Sequence, residues 1–129
     1  PYGNLNTTWF NTAIKILVTL AEQQNYTSSN ELVMKVNKDA SFIRKVTAPL
    51  IKKQLIEKKN GRTGGYKIIQ DPKTISLYDI YTALVENANI PQMEDTTHYG
   101  RVLKSILKET ENAFTTVLKQ HYLNEIIQP

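Results

Sequence analysis

The first run of apolar residues repeats at helical spacing. Over residues 8–24 (TWFNTAIKILVTLAEQQ), Trp9, Phe10, Ala13, Ile14, Leu17, Leu20 and Ala21 share one face, and Ile16 and Val18 widen it. This predicts a core helix capped by Asn6 or Thr7, with Trp9 on its buried side. Residues 25–27 read as a loop. Ser28 or Ser29 then caps a short helix over about 29–36, with Glu31 at capping-box distance from Ser28. Leu32, Val33 and Val36 form its inner face. After the polar break at residues 37–39, a third helix is expected over about 40–55, capped by Asp39 or Ser41. Phe42, Ile43, Val46, Leu50 and Ile51 face inward, and Leu55 closes the end. Pro49 cannot donate to the Lys45 carbonyl, so a kink or an early end is expected there, and Ala48 is restricted as the residue before it.

The period then changes. Residues 55–58 read as a strand, 60–65 (NGRTGG) as a turn and 66–69 as the returning strand. Asn-Gly and Gly-Gly supply the positive φ angles of a hairpin, and Tyr66 is expected to pack the hairpin on the body. Residues 76–88 form an amphipathic helix with Ser76 and Asp79 at capping-box spacing. Residues 87–97 are a loop. A long helix over about 98–120 carries Val102, Leu103, Ile106, Leu107, Thr110, Ala113, Phe114, Val117 and Leu118 in one stripe, and residues 122–127 form a short tail.

Helix, helix, tight turn, helix and two-stranded hairpin is the order of a winged helix-turn-helix. The expected fold is therefore mainly α with a small β-hairpin wing and a long C-terminal helix. Residues 1–88 would form the DNA-binding domain, and 89–129 a loop and dimerisation helix. In such a unit one helix braces a second, which enters the major groove by its N-terminal residues. The stripe on the last helix is wide for so small a chain. It either packs on its own domain or crosses a second copy; a homodimer suits paired half-sites and is the preferred reading.

Charge agrees with this order. The net charge is +4, but residues 35–67 hold ten basic and two acidic side chains, a net +8. The remaining six basic and ten acidic residues leave −4 elsewhere. A basic segment coinciding with the helix-turn-helix and wing points to a polyanion, double-stranded DNA. For Lys52, Lys53, Lys58 and Lys59 taken singly, a solvated helix or strand end is an equal alternative. Arg44 and Lys45, in the first turns of the third helix, are better candidates.

The 129 residues contain no cysteine. This excludes disulfides, cysteine zinc sites, thiol catalysis and a cysteine-held iron–sulfur cluster, and it fits a cytoplasmic protein. No apolar run is long enough to cross a membrane, and no signal-peptide pattern is visible. The chain begins at Pro1, so its native start is expected to be lost or altered. An enzyme is not expected. His98 and His121 lie far apart with no nucleophile motif, and the 61–65 glycine segment lacks the Lys-Ser/Thr of a phosphate loop. His98 with Glu94 and Asp95 could hold a hard metal, although an ordinary polar loop is the preferred reading.

The segments SFIRKV (41–46), LIE (55–57), GGYKI (64–68) and DPKTISLYDIYTALVE (71–86) resemble the IscR/CymR-type winged-helix regulators, the Rrf-two family. The resemblance implies a homodimeric transcriptional regulator, usually a repressor. It places Ser41, Arg44 and Lys45 at bases in the major groove and the wing loop in the minor groove. The candidate DNA-facing set is Ser41, Phe42, Arg44, Lys45, Lys59, Asn60, Arg62 and Thr63. Relatives often carry acidic and amide residues where Arg44 and Lys45 stand, so a different operator is expected, with guanine edges suited to Arg or Lys. The family's wing arginine matches Asn60, and Arg62 follows two residues later. Many relatives hold a cluster on three cysteines in the loop matching residues 87–98, which has none here. The chain resembles a cluster-free branch with no cofactor; a small molecule or a protein could be its effector. The competing function is a winged-helix protein–protein adaptor that does not bind DNA. The adaptor predicts dispersed basic residues, whereas a DNA binder predicts Arg44, Lys45 and Arg62 on one face.

Overall fold

The computed structural model describes residues 7–86 and 95–127. Its elements are α1 (Thr8–Ala21), α2 (Ser29–Val36), α3 (Ala40–Lys52), β1 (Ile56–Lys59), β2 (Gly65–Ile68), α4 (Leu77–Glu86) and α5 (His98–Lys119), with short 3-10 turns at Pro72–Thr74 and Leu123–Glu125. This is the expected winged helix-turn-helix with a long last helix.

Local chemistry sets the helix starts. Thr7 Oγ1 accepts the Phe10 N–H (3.3 Å), Ser28 Oγ that of Glu31 (3.1 Å) and Asp39 Oδ1 that of Phe42 (2.8 Å). Ser76 and Asp79 bond reciprocally, the Asp79 N–H to Ser76 Oγ (3.0 Å) and the Ser76 N–H to Asp79 Oδ2 (2.9 Å). Between α2 and α3 the chain reverses at Asn37, whose φ of 60° is left-handed and whose N–H returns to the Val33 carbonyl. Asparagine tolerates that conformation better than most side chains.

The end of α3 departs from expectation. Pro49 stays inside the helix, which continues to Lys52. It stops where Gln54 turns to a φ of 63°. The Gln54 and Leu55 N–H groups then reach back to the carbonyls of Ile51 (2.9 Å) and Leu50 (3.0 Å). Residues 53–55 are thus a left-handed exit, and β1 begins at Ile56. β1 pairs antiparallel with β2 from Ile56↔Ile68 to Lys59↔Gly65.

One core runs through every element of the helix-turn-helix and wing. Ile16 and Leu17 of α1, Leu32 of α2, Val46 and Leu50 of α3, and Ile80 of α4 are fully buried, and Tyr66 of β2 is nearly so. Trp9 is not part of it. The indole is 42% exposed at the first turn of α1 and meets Phe42 edge-on, at 5.6 Å between ring centroids.

The wide stripe of α5 divides in two. Phe114 lies edge-on to Tyr81 of α4 (5.1 Å), and Leu118 is buried. Tyr99, Val102, Leu103, Ile106 and Val117 are exposed. After α5 the chain returns to the body. The Leu77 N–H donates to the His121 carbonyl and the Leu123 N–H to the Ile75 carbonyl, at 2.9 and 2.8 Å. Leu123 is completely buried in the common core, with Ile127 packed against it. Leu123 and Ile127 thus join the segment after α5 to the core of residues 7–86. Among the described residues no helix is long and apolar enough to cross a membrane.

Candidate nucleic-acid interface

α3 presents two unlike faces. Ile43, Val46 and Leu50 bury one. Ser41, Lys45, Ala48 and Lys52 recur at four-three-four spacing along the other, with Arg44 at its edge, and all five are exposed. Ser41, Arg44, Lys45 and Ala48 line, together with Trp9, an open depression of about 460 Å³. Phe42 belongs to the opposite side: it is partly buried, packs on the core and braces Trp9. It supports this surface from behind, because its angular position on α3 follows Ile43 and Val46 rather than Arg44.

The wing forms a second basic surface. Residues 59–63 are exposed, and Gly61 takes a φ of 104° that the turn requires. A Cβ on Gly64 would collide with the Lys59 carbonyl, and one on Gly65 with that of Thr27. The second close approach exists because Thr27 and Tyr66 exchange both backbone hydrogen bonds (2.8 Å each), which fastens the hairpin to the chain just before α2. Lys58, Lys59, Asn60 and Arg62 consequently face residues 28–30 across a groove of about 300 Å³. Thr63 is exposed but lies outside that groove.

The two acids of the basic window are both engaged. Asp39 caps α3. Glu57 Oε1 accepts the Tyr26 hydroxyl at 2.5 Å, with Lys59 and Lys67 over the Tyr26 ring at 5.6 and 5.7 Å. Among the described residues Arg44, Lys45 and Arg62 form no salt bridge, whereas Lys35 pairs with Glu31 and Lys53 with Glu86. Uncompensated cations on an exposed surface are what a polyanion selects.

The Tyr26–Glu57 contact is itself testable. The hydrogen bond to Glu57 raises the Tyr26 phenol above its ordinary 10.0, with burial and the Glu57 charge adding to it. The folded chain holds this proton more tightly than the unfolded one. Its stabilising effect is therefore complete below pH 10 and is lost as pH rises through the raised value. Site-labelled NMR should show Tyr26 ionising later than a free tyrosine, and Glu57→Gln should move it back. An unchanged titration in Glu57→Gln would rule out the contact.

The expected site residues thus fall into two groups, Ser41, Arg44 and Lys45 on α3 and Lys59, Asn60 and Arg62 on the wing. Trp9, Ala48 and residues 28–30 join them without having been expected, and Lys58, for which a solvated strand end was an equal alternative, joins the wing groove. Among these, only the basic character of Lys58 left a trace in the sequence. Glu94, offered as a metal ligand, lies outside the described residues. Asp95 Oδ1 accepts the Thr97 hydroxyl and N–H, which hold its carboxyl below the ordinary range despite some opposing burial. Among the described residues no group of three or more His, Cys, Asp or Glu is placed to hold a metal.

Comparison with known proteins agrees with this architecture. BadM of Rhodopseudomonas palustris, described as an HTH-type transcriptional regulator, is 25% identical over 116 residues, which are 88% of this chain and 74% of that protein. Two solved structures superpose with a TM-score of 0.70 at 19% identity: IscR of T. potens, with 93% of this chain and 83% of that one covered, and CymR, the global cysteine regulator of B. subtilis, with 93% of both covered. A transcriptional-regulator structure from Lactobacillus plantarum reaches 0.75 at 17% identity over 92% of this chain and 86% of that one. These structural likenesses are of fold. The family model described as "Rrf2: Iron-dependent Transcriptional regulator" matches residues 6–129. A chain with this fold, matched over nearly its whole length, belongs to the Rrf2 family of transcriptional regulators.

Proposed function

We propose that this chain is a sequence-specific DNA-binding repressor that acts as a homodimer. α3 would enter the major groove with Ser41, Arg44 and Lys45 at base edges. The wing would follow the backbone toward the minor groove with Lys59, Asn60, Arg62 and Thr63. The observation that carries this reading is the exposed stripe of α3, where Arg44 and Lys45 stand without a salt bridge among the described residues. The exposed apolar side of α5 supports the dimer.

The family description names iron. Iron–sulfur clusters are held chiefly by cysteine thiolates, and this chain has none. The donor set does not fit such a cluster, and the proposed regulation runs through an effector other than a cysteine-held one.

The test is a gel shift against the protein's own upstream region. Affinity should fall by about 10³-fold or more between roughly 50 and 200 mM salt if six or more phosphates are contacted. A flat salt response would remove DNA binding. Arg44→Ala should cost about 1–3 kcal/mol and relax the preference at one base pair, while Lys52→Ala should weaken all sequences alike and lower the salt slope by about one. Equal effects from the two would remove Arg44 as a base reader.

A further inference from the structure

We propose that Trp9 is an uncharged contact to the DNA sugar–phosphate backbone, placed outside both the helix-turn-helix and the wing. This rests on the DNA-binding reading above and adds α1 to the bound surface.

Three observations converge on the indole. First, it is exposed where the rest of its helix face is not: Trp9 is 42% accessible, whereas Ala13, Ile16 and Leu17 are at 0%. Burying so large a ring is ordinarily favourable, so its position at the surface leaves substantial apolar area uncovered. Second, it is held in place. Phe42 meets it edge-on at an interplanar angle of 75°, and Phe42 is itself packed against the core. Third, its neighbours are those of the DNA-facing stripe. Ser41, Arg44, Lys45 and Ala48 complete the depression that Trp9 walls.

A groove helix sits between two phosphate backbones, and the first turn of α1 lies beside that helix. The occupant that suits this depression has a negative charge for Arg44 and Lys45, an acceptor for the indole N–H and an apolar plate for the ring. A deoxyribose and its phosphate supply all three. The depression is open and rimmed by cations, which favours a polyanion passing over it.

Trp9 is the sole tryptophan of the chain, so its emission reports this position alone. The full-length protein is titrated with a labelled duplex of its upstream region, following duplex anisotropy and protein emission together. Trp9 emission should change in step with binding. Trp9→Phe keeps a ring against Phe42 but loses the N–H and part of the plate. It should bind every sequence about tenfold more weakly with an unchanged thermal midpoint. Its salt slope should equal that of the wild type, because a neutral donor releases no counterion. Duplex binding with constant emission, or wild-type affinity in Trp9→Phe, overturns the Trp9 contact and leaves the DNA reading intact. Absence of any anisotropy change in the wild type overturns the DNA reading and this contact with it.

Discussion

Ile106→Glu should convert the proposed dimer to a species of 14.7 kDa and lower operator affinity by about 10²–10⁴-fold. Ile106 lies midway along α5, a 22-residue helix about 33 Å long. It is 53% exposed and belongs to the outer seam, which Tyr99, Leu103, Thr110, Ala113 and Val117 continue at alternating four- and three-residue steps. That spacing is the seam of helices packed side by side. Each aliphatic side chain covered there contributes about 1.5–3 kcal/mol, and a carboxylate at the centre would have to be desolvated without a partner. Among the described residues Ile106 is neither in the core nor packed against it, so the variant should keep its helicity and melting behaviour as a monomer. The affinity loss follows because two half-sites would no longer be held by one particle. Light scattering at micromolar concentration and the gel shift measure both effects. A dimeric Ile106→Glu protein would show that the α5 seam is not the interface.

Leu123→Ala should lower stability by about 2–5 kcal/mol, roughly a 10 °C fall in thermal midpoint for a chain of this size. The side chain is at 0% exposure among residues of α1, α3 and α4, although it follows the last helix. Its backbone is tied by the Leu123–Ile75 hydrogen bond, and the Ser76–Tyr122 bridge lies beside it. Removing the isobutyl group leaves a cavity that fixed backbone on both sides cannot close. A neighbouring substitution such as Asn124→Ala, at an exposed position, should leave stability within about 0.5 kcal/mol of the wild type. Equal midpoints for Leu123→Ala and Asn124→Ala would show that the tail does not belong to the core.

Much of this fold was legible because its signals are local. The Ser28 and Asp39 caps, the break at residues 37–39 and the Asn-Gly turn each follow from a few adjacent residues. The exit of α3 was not legible, since Gln54 has no intrinsic preference for a φ of 63°. Trp9 has the right spacing for a core residue, but it stands 42% exposed beside the open face of α3, so periodicity alone places it in the wrong environment. Phe42 reads from the sequence both as an inward-facing residue and as a member of the DNA-facing set; the structure packs it against the core. Glu57 and Tyr26 are 31 residues apart, beyond any local pattern. The stripe on α5 is wide in the sequence, but a list of apolar positions does not show that Phe114 meets Tyr81 of α4 while Val102, Leu103 and Ile106 stay exposed. Likewise, the charge excess located a basic segment, but only the fold divides it between the α3 depression and the wing groove.

The return of the chain after α5 bears on operator architecture. Leu118, Leu123 and Ile127 fasten the far end of α5 to the same body that carries α3. In a dimer built on α5, the two groove helices are therefore separated by packed structure and not by a flexible tether. Such a particle works as a ruler. Half-sites on one face of the duplex lie about 34–36 Å apart, and one added base pair between them shifts both distance and rotation. A tethered pair of domains would absorb that change; a strapped pair would pass it to the contacts, so operator spacing would become part of what the proposed dimer recognises.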